Sequence, residues 1–215
     1  MPAPWGLSPF DETAVALLVS LDAPAYKIAS CELPDVGLIR RVAQTGKPVM
    51  LSTGAADDAE LAEALGVLQD AGVRDVCVLH CISSYPTPLE DANLASIPYI
   101  RAAHGVSVGF SDHTLGLTAA LASVPLGACV IEKHVCLARG DGAIDSAFSL
   151  EPVELGALVT QSRAMFTVLG EARTTPLESE KESLRFKRSL YIAKDLKKGD
   201  RLDASNVRSV RPTGG

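Results

Sequence analysis

The sequence predicts an α/β fold of about five consecutive strand–helix units, which form either part of a (β/α)8 TIM barrel or an open sheet. Short apolar runs recur at intervals of about 22 to 31 residues, and each precedes a segment with helical spacing of apolar side chains. The runs are continuously apolar, which is typical of parallel strands buried on both faces. Eight such units close a barrel of about 250 residues. Because only five are visible in 215 residues, an open five-stranded sheet is the alternative.

Local signals justify each element. Residues 1–10 are rich in Pro and Gly and predict a loop. Gly46 and Gly72 suit the ends of two helices, and Pro152 suits the first turn of the last helix. The predicted strands cover residues 26–30, 48–52 and 75–81 and two runs that end at residues 110 and 134. The predicted helices cover residues 11–21, 35–44, 57–71, 93–103, 115–124 and 152–169.

The alternation of strands and helices stops after Gly170. Residues 171–185 read as a charged linker, and residues 186–193 predict a strand followed by a polar turn. Residues 204–208 predict a short helix or turn. Since about thirty residues are too few for a stable core, we interpret residues 186–215 as the beginning of a second domain. Residues 1–170 then form the partial barrel.

Composition narrows the function classes. The chain is 47% apolar and 21% charged, so a packed core is expected, and no apolar run reaches the roughly eighteen residues of a membrane span. The first residues lack a charged region before an apolar one, so no secretory signal is predicted. Five cysteines, an odd number mostly within apolar runs, predict reduced, buried thiols in a cytoplasmic protein.

The net charge of −6 is unevenly distributed. Residues 1–170 carry −10 and residues 171–215 carry +4. This asymmetry favours attraction between the two parts, within one chain or between chains. The basic part is too weakly charged to indicate nucleic-acid binding.

The fourth and fifth apolar runs each end in a polar residue followed by a histidine, His113 and His134. The carboxyl ends of neighbouring parallel strands meet at one edge of a sheet, so the two imidazoles could share a divalent metal ion. The alternative is that each only forms a hydrogen bond with a carboxylate or carbonyl. His80 and His104 lie within a strand and near a helix end, where a structural role is favoured.

Hydroxyl side chains follow three consecutive strands, at Ser52, Ser83 and Ser111. Hydroxyls next to helix starts can bind phosphate or carboxylate groups, although each could instead be an ordinary helix cap. Lys27, on the first run, could hold a phosphate or form a Schiff base. Glu32, five residues later, could act as a general base or as the salt-bridge partner of that lysine.

The polar loop that follows the last strand carries two carboxylates. Asp145 could orient a sugar hydroxyl or a water molecule, whereas Asp141 suits a solvated turn. Three cysteines near the histidines could complete a zinc site, but their spacing favours small buried residues. These cysteines are Cys77, Cys81 and Cys136.

Six ordered segments resemble the sialic acid synthase family, and the resemblance is strongest to its pseudaminic acid synthase branch. The segments of the family pattern are residues 26–30, 51–54, 84–88, 109–114, 132–134 and 149–152. The segments of the branch pattern are residues 111–116, 147–152 and 186–191. The match extends from about Ser8 to the end of the chain.

This resemblance implies a (β/α)8 barrel followed by a small antifreeze-like (SAF) domain. It implies condensation of phosphoenolpyruvate with an N-acetylated amino sugar, of the 2,4-diacetamido-2,4,6-trideoxy-altrose type for this branch, to a nine-carbon 2-keto sugar acid with release of phosphate. A divalent cation, Mn²⁺ or Mg²⁺, would hold the open-chain aldehyde of the sugar. N-Acetylneuraminate and legionaminate synthesis are the alternatives within the family.

The resemblance also implies roles for individual residues. His113 and His134 match the metal ligands. The phosphoenolpyruvate-binding positions match Lys27, Ser52, Ser83 and Ser111, of which Ser83 stands where some relatives have asparagine. Positions near the sugar or the attacking water match Glu32, Tyr85 and Asp145. In a domain-swapped homodimer, the antifreeze-like domain caps the barrel of the partner subunit, and the residues implied at that junction are Phe186 and Arg211.

The chain departs from the family at both ends. Family barrels begin with strands that carry a Glu and an Asn-His motif, and roughly the first hundred residues of a 250-residue barrel have no counterpart here. Most of the antifreeze-like domain is also missing. We therefore expect a truncated synthase whose isolated activity is low or nil. A Schiff-base aldolase acting through Lys27 and a non-catalytic binding module are the alternatives from other classes.

Overall fold

The computed structural model describes residues 6–211, and the chain divides into two compact units, one ending at Gly170 and the other beginning at Glu171. In the first unit, five strands form one parallel sheet in the order β1-β2-β3-β4-β5. The strands are β1 (Tyr26–Ile28), β2 (Val49–Ser52), β3 (Val76–Cys81), β4 (Ser107–Asp112) and β5 (Ile131–Lys133). The helices are α1 (Glu12–Ser20), α2 (Val36–Ala43), α3 (Asp58–Asp70), α4 (Ser96–His104), α5 (Thr118–Ser123) and α6 (Pro152–Leu169).

The sheet is strongly curved, as expected for part of a barrel. Lys27 on β1 and Glu132 on β5 form an ion pair with Nζ and Oε1 3.1 Å apart. Strand spacing alone would separate the first and last of five strands by about 19 Å in a flat sheet. Two side chains cannot span that distance, so the strands must curl towards each other. The predicted partial barrel is confirmed, and the flat open sheet is wrong.

Period-two alternation divides the strand side chains between two environments. Ile28, Leu51, Val78 and Val108 have no exposed surface and lie in the main core with the buried faces of α1 to α4. Their neighbours along each strand face the inside of the curved sheet. Gly109 follows Val108 and therefore faces inward. A glycine fits there because β4 closely approaches Val130, the residue before β5. Helices bury one face of each strand and the inside of the curved sheet encloses the other, so apolar residues occur at consecutive positions in these runs.

The helices begin at residues that satisfy their free backbone donors. Asp11 accepts the Ala14 N–H at 2.7 Å, and Asp57 forms a capping box with Glu60. Gly105 ends α4 in the left-handed region, at φ 66°. These boundaries agree with the predicted helices to within a few residues.

The second unit contains a short helix, α7 (Lys181–Leu184), and two antiparallel strands, β6 (Ser189–Ile192) and β7 (Val207–Val210). Of the predicted short helix or turn over residues 204–208, the structure has a turn at residues 204–206, and a strand begins at Val207. Asp203 and Asn206 close a turn through side-chain hydrogen bonds to backbone amides, and Val207 then pairs with Ile192. The predicted linker also contains α7, so it is not uniformly extended.

The cysteine prediction needs a correction. All five cysteines are free thiols, and Cys81 is buried as expected, but Cys31 and Cys129 are exposed. Cys31 lies in the turn after β1, and Cys129 lies two residues before β5, the last strand of the described sheet. Within residues 6–211, no helix combines the length and apolarity needed to cross a bilayer. Residues 6–10 of the predicted loop form no helix and only an isolated bridge of Leu7 with Tyr26, whereas residues 1–5, on which the signal prediction depends, lie outside the described residues.

Candidate active site

The carboxyl ends of β4 and β5 place His113 and His134 side by side. Asp112 pairs with Lys133 in the strand register, so the next residue of each strand is a histidine. The centroids of the two imidazole rings are 5.3 Å apart, with an interplanar angle of 58°. The structure therefore brings together the two predicted metal ligands, whose role as ligands stays a prediction.

His113 is held by the backbone of the preceding strand loop. Its Nδ1 atom lies 3.1 Å from the carbonyl oxygen of Ile82. A carbonyl only accepts, so Nδ1 carries the proton and Nε2 keeps its lone pair. Burial lowers the pKa of His113 below its ordinary value, despite the carbonyl contact, which raises it. The ring is therefore neutral near pH 7, as a metal ligand must be.

His134 has a carboxylate neighbour instead. Its Nδ1 atom lies 3.6 Å from Oδ2 of Asp145, which the 3-10 turn Ser146–Phe148 follows. Burial lowers the pKa of His134, and the proximity of His113 lowers it further, while Asp145 opposes both effects. A histidine whose Nδ1 faces a carboxylate presents Nε2 outward, which is a common arrangement for metal-binding imidazoles.

Two aromatic rings cover the pair of histidines. The Tyr85 ring lies 4.3 Å from that of His113, and the Phe148 ring lies 5.1 Å from that of His134. Tyr85 and Phe148 are themselves 5.8 Å apart. Burial raises the pKa of Tyr85, so its hydroxyl stays protonated and can donate a hydrogen bond. Phe148 was not among the predicted site residues, because an aromatic residue in a loop carries no signal of its position.

A charged network lies beside the histidines. Glu132 Oε1 accepts hydrogen bonds from Lys27 Nζ at 3.1 Å and from Ser111 Oγ at 2.7 Å. The two donors are predicted phosphoenolpyruvate-binding residues on strands β1 and β4, and a single carboxylate on β5 joins them. Glu132 was missed as a candidate. Glu132 precedes His134 by two residues, so both side chains lie on one face of the strand, and this spacing was a signal that could have identified Glu132. The structure adds that Glu132 is the register partner of Ser111.

The remaining serines lie along the same edge of the sheet. Ser30 accepts the N–H of Gly54 at 3.0 Å, and a Cβ on Gly54 would lie 2.7 Å from Ser30 Oγ and would also collide with Ser83 Oγ. Glycine is required there by this close approach. Ser52 is only 2% exposed, and its hydroxyl has no hydrogen-bond partner among the described residues. A buried hydroxyl without a partner is costly, which makes Ser52 a strong candidate for contact with a ligand.

Three predicted site residues are not joined to this group. Glu32 lies in the turn Ser30–Glu32 after β1, and within residues 6–211 no hydrogen bond or ion pair links it to another candidate. Phe186 and Arg211 belong to the second unit, so their roles stay predictions. His80 Nε2 donates a hydrogen bond to the Ala92 carbonyl oxygen at 2.9 Å, and its ring stacks on Phe110, which agrees with a structural role.

The described residues contain no group of three or more His, Cys, Asp or Glu side chains arranged around one point. A zinc site completed by the cysteines is therefore not supported. Two neutral imidazoles with free Nε2 atoms nevertheless suit a cation that takes its other ligands from water and substrate oxygens. Cys81 is instead in contact with His113, with Sγ and Nδ1 3.9 Å apart.

These features define the class of protein. A curved parallel sheet with polar groups at its carboxyl edge is the arrangement found in enzymes of the (β/α)8 barrel class. The NeuB family matches residues 5–174, and the SAF domain matches residues 187–215. The chain belongs to the NeuB family, with a SAF segment after the barrel unit.

Three relatives illustrate this membership. The pseudaminic acid synthase of Helicobacter pylori is 40% identical over 95% of this chain, and the N,N'-diacetyllegionaminic acid synthase of Campylobacter jejuni is 37% identical over 97%. The crystal structure of N-acetylneuraminic acid synthetase from Leptospira borgpetersenii has a TM-score of 0.78 at 34% identity, over 83% of this chain. The chain spans 61%, 63% and 62% of these three relatives respectively.

Proposed function

We propose that the protein forms part of a synthase. This synthase condenses phosphoenolpyruvate with an N-acetylated amino sugar to give a nine-carbon 2-keto sugar acid and phosphate. The 2,4-diacetamido-2,4,6-trideoxy-altrose type of sugar is our first choice, supported by the 40% identity to the Helicobacter pylori relative. N-Acetylneuraminate and legionaminate chemistry are the alternatives. The observation that carries the proposal is the pair of neutral imidazoles beside the network of Lys27, Glu132 and Ser111.

We assign His113 and His134 to a divalent cation, Mn²⁺ or Mg²⁺. Their rings are 5.3 Å apart, and the proton on Nδ1 of His113 leaves its Nε2 free. A bound cation would act as a Lewis acid towards the sugar aldehyde. The aromatic rings of Tyr85 and Phe148 pack against these imidazoles.

The charged network suits the anionic substrate. Phosphoenolpyruvate carries a phosphate and a carboxylate, and Lys27 and Ser111 supply an ammonium and a hydroxyl for them. Ser52 and Ser83 supply further hydroxyls at neighbouring strand ends. The carboxylate of Glu132 aligns Lys27 and Ser111 before the substrate arrives, which is preorganisation of the donors.

The other carboxylates and Tyr85 suit the sugar side. In the proposed reaction, C3 of phosphoenolpyruvate forms a bond with the aldehyde carbon, whose oxygen takes up a proton. Water then adds at C2, and the C2–O bond to phosphate breaks, which leaves the 2-keto group. Asp145 and Glu32 are the proposed acceptors of hydrogen bonds from the sugar or the water, and Tyr85 is a proposed donor to the sugar.

Phe186 and Arg211 enter the proposal through a homodimer. The −10 and +4 charges of the two parts of the chain favour docking of the SAF segment of one subunit on the barrel of another. Arg211 would then add a cation to the sugar side of the partner's site. A measured molar mass of a dimer would support this arrangement, and a monomer at every concentration would exclude it.

The test is phosphate release from phosphoenolpyruvate with each candidate sugar and Mn²⁺, measured on this chain completed to the length of its relatives, because the chain alone is expected to have little or no activity. We expect His134→Ala to abolish phosphate release, and chelation of the cation should have the same effect. Both changes would remove the cation that polarises the sugar aldehyde. His104→Ala, which changes a histidine at the end of α4, is the matched control and should leave the rate unchanged. Equal rates for His134→Ala and the unmodified chain would refute the proposal.

The Schiff-base alternative makes a different prediction. A lysine that forms a Schiff base is usually desolvated or next to another cation, whereas Lys27 is paired with Glu132 at 3.1 Å. Borohydride reduction in the presence of pyruvate should therefore leave Lys27 unmodified. A covalent adduct on Lys27, found by mass spectrometry, would favour the aldolase. Absence of both activities in the completed chain, together with a stable monomer that binds no metal, would favour a binding module.

A further inference from the structure

A buried ion pair lies directly behind the two histidines. Lys133 Nζ and Asp112 Oδ2 are 2.7 Å apart, and their side chains are 3% and 0% exposed. The two residues are register partners on β4 and β5. Each immediately precedes one of the imidazoles, and alternation along the strands turns their side chains away from the imidazole side.

The same ammonium also holds the backbone on the far side of His113. Lys133 Nζ donates to the carbonyl oxygen of Thr114 as well as to Asp112. Asp112 Oδ1 accepts the N–H of Thr114 at 2.8 Å. Asp112 and Thr114, the two neighbours of His113 in the chain, are therefore both hydrogen-bonded to Lys133, which precedes His134.

A buried ion pair gives little net stability, since the desolvation of both charges offsets their attraction. Two apolar residues would fill this place at no greater cost. What the pair provides is a directional connection that fixes the end of β4 relative to the end of β5. Ordinary ladder hydrogen bonds stop at Asp112 and Lys133, just before the histidines.

We propose that Asp112 and Lys133 are positioning residues that set the separation and orientation of the imidazoles of His113 and His134. The inference rests on the proposed function in so far as the imidazoles bind a cation. It extends that function by assigning the geometry of the cation site to an ion pair that touches neither substrate nor cation.

Removing one charge alone would leave its partner buried and unpaired, which is strongly destabilising. The test therefore uses the double variant Asp112→Asn/Lys133→Met, which removes both charges and keeps similar volumes. The matched control is Asp22→Asn/Lys47→Met. It removes an ion pair of 2.8 Å that lies at the exposed surface, far along the chain from the histidines.

Mn²⁺ affinity, followed by electron paramagnetic resonance of the free ion, is the first measurement. We expect the folded double variant to bind Mn²⁺ about 10-fold more weakly or worse, as is typical when outer-shell partners of metal ligands are lost. The control should bind with unchanged affinity. An unchanged affinity in the folded Asp112→Asn/Lys133→Met variant would overturn the proposal.

Amide hydrogen exchange of the unmodified chain, without metal, is the second measurement. The Thr114 N–H, and the Thr87 N–H that donates to the His113 carbonyl at 3.0 Å, should be protected as strongly as the Phe110 amide in β4. Exchange at the rate of exposed loop amides would overturn the proposal even if the double variant does not fold. If the unmodified chain binds no Mn²⁺, the proposed cation site fails, and the exchange data still decide whether the ion pair holds the strand ends.

Discussion

Gly109→Ala tests whether the close approach of β4 and β5 is required for the fold. Gly109 lies in β4, two residues before Ser111, on the inner face of the sheet. A Cβ at this position would lie 2.6 Å from Leu79 Cδ2 and 2.7 Å from the carbonyl oxygen of Val130. Ordinary contacts between carbon atoms are 3.5 to 4.0 Å, roughly, so both neighbours would have to move by about 1 Å.

The leucine side chain can change its rotamer, but the carbonyl cannot move freely. It accepts the Phe110 N–H at 2.9 Å, so separating the strands weakens the hydrogen bond that joins β4 to the residue preceding β5. Overpacking of this kind costs about 1 to 3 kcal/mol. We expect the free energy of unfolding to fall by that amount, and Mn²⁺ binding to weaken because β4 also carries His113.

The assay is urea unfolding followed by circular dichroism, with Gly66→Ala as the matched control. Gly66 lies within α3, and a Cβ there would have no atom within 4 Å, so alanine should stabilise the helix by up to about 1 kcal/mol. The two variants add the same methyl group and are expected to change stability in opposite directions. A Gly109→Ala protein at least as stable as the unmodified chain would refute the argument from close strand approach.

Two further predictions concern the edge of the sheet. Ser52→Ala removes a buried hydroxyl that has no hydrogen-bond partner among the described residues. It should therefore raise the free energy of unfolding by about 1 kcal/mol and weaken phosphoenolpyruvate binding measured by calorimetry. The control Ser123→Ala removes a hydroxyl that donates to a carbonyl, so it should not stabilise the protein. Burial lowers the pKa of His113 and His134 below 6.5, so the unfolded chain binds more protons just below that pH. Stability should therefore be complete above pH 6.5 and fall below it. The variant His113→Gln/His134→Gln should show a shallower decrease of stability just below pH 6.5, where the remaining decrease is due to His80, while carboxyl groups with lowered pKa values such as Glu154 act at lower pH. An unchanged slope just below pH 6.5 would contradict this assignment.

The strand–helix units could be read from the chain because their signals are local. A continuous apolar run, a following amphipathic segment and a glycine stop all lie within about twenty-five residues. The elements of the second unit are less evident from the sequence. The turn at Asp203 and Asn206 resembles the start of a helix in sequence, and only pairing with β6 shows that Val207 begins a strand.

The candidate site divides in the same way. Placement of His113 and His134 at neighbouring strand ends could be predicted, since parallel strands of one sheet have their carboxyl ends at one edge. The contact between Glu132 and Lys27 could not be predicted, because the two residues are 105 positions apart in sequence and meet only when the sheet curls. Phe148 likewise acquires its place from the path of a loop.

Local signals in the sequence predict the parallel sheet, its five strands and the edge at which the polar side chains collect, because periodicity and residue type reflect neighbours within a short stretch of chain. The contacts among those side chains arise from the fold. The curvature of the sheet joins Lys27 to Glu132, and a buried ion pair joins Asp112 on β4 to Lys133 on β5. These contacts depend on distances between strands that no local pattern encodes.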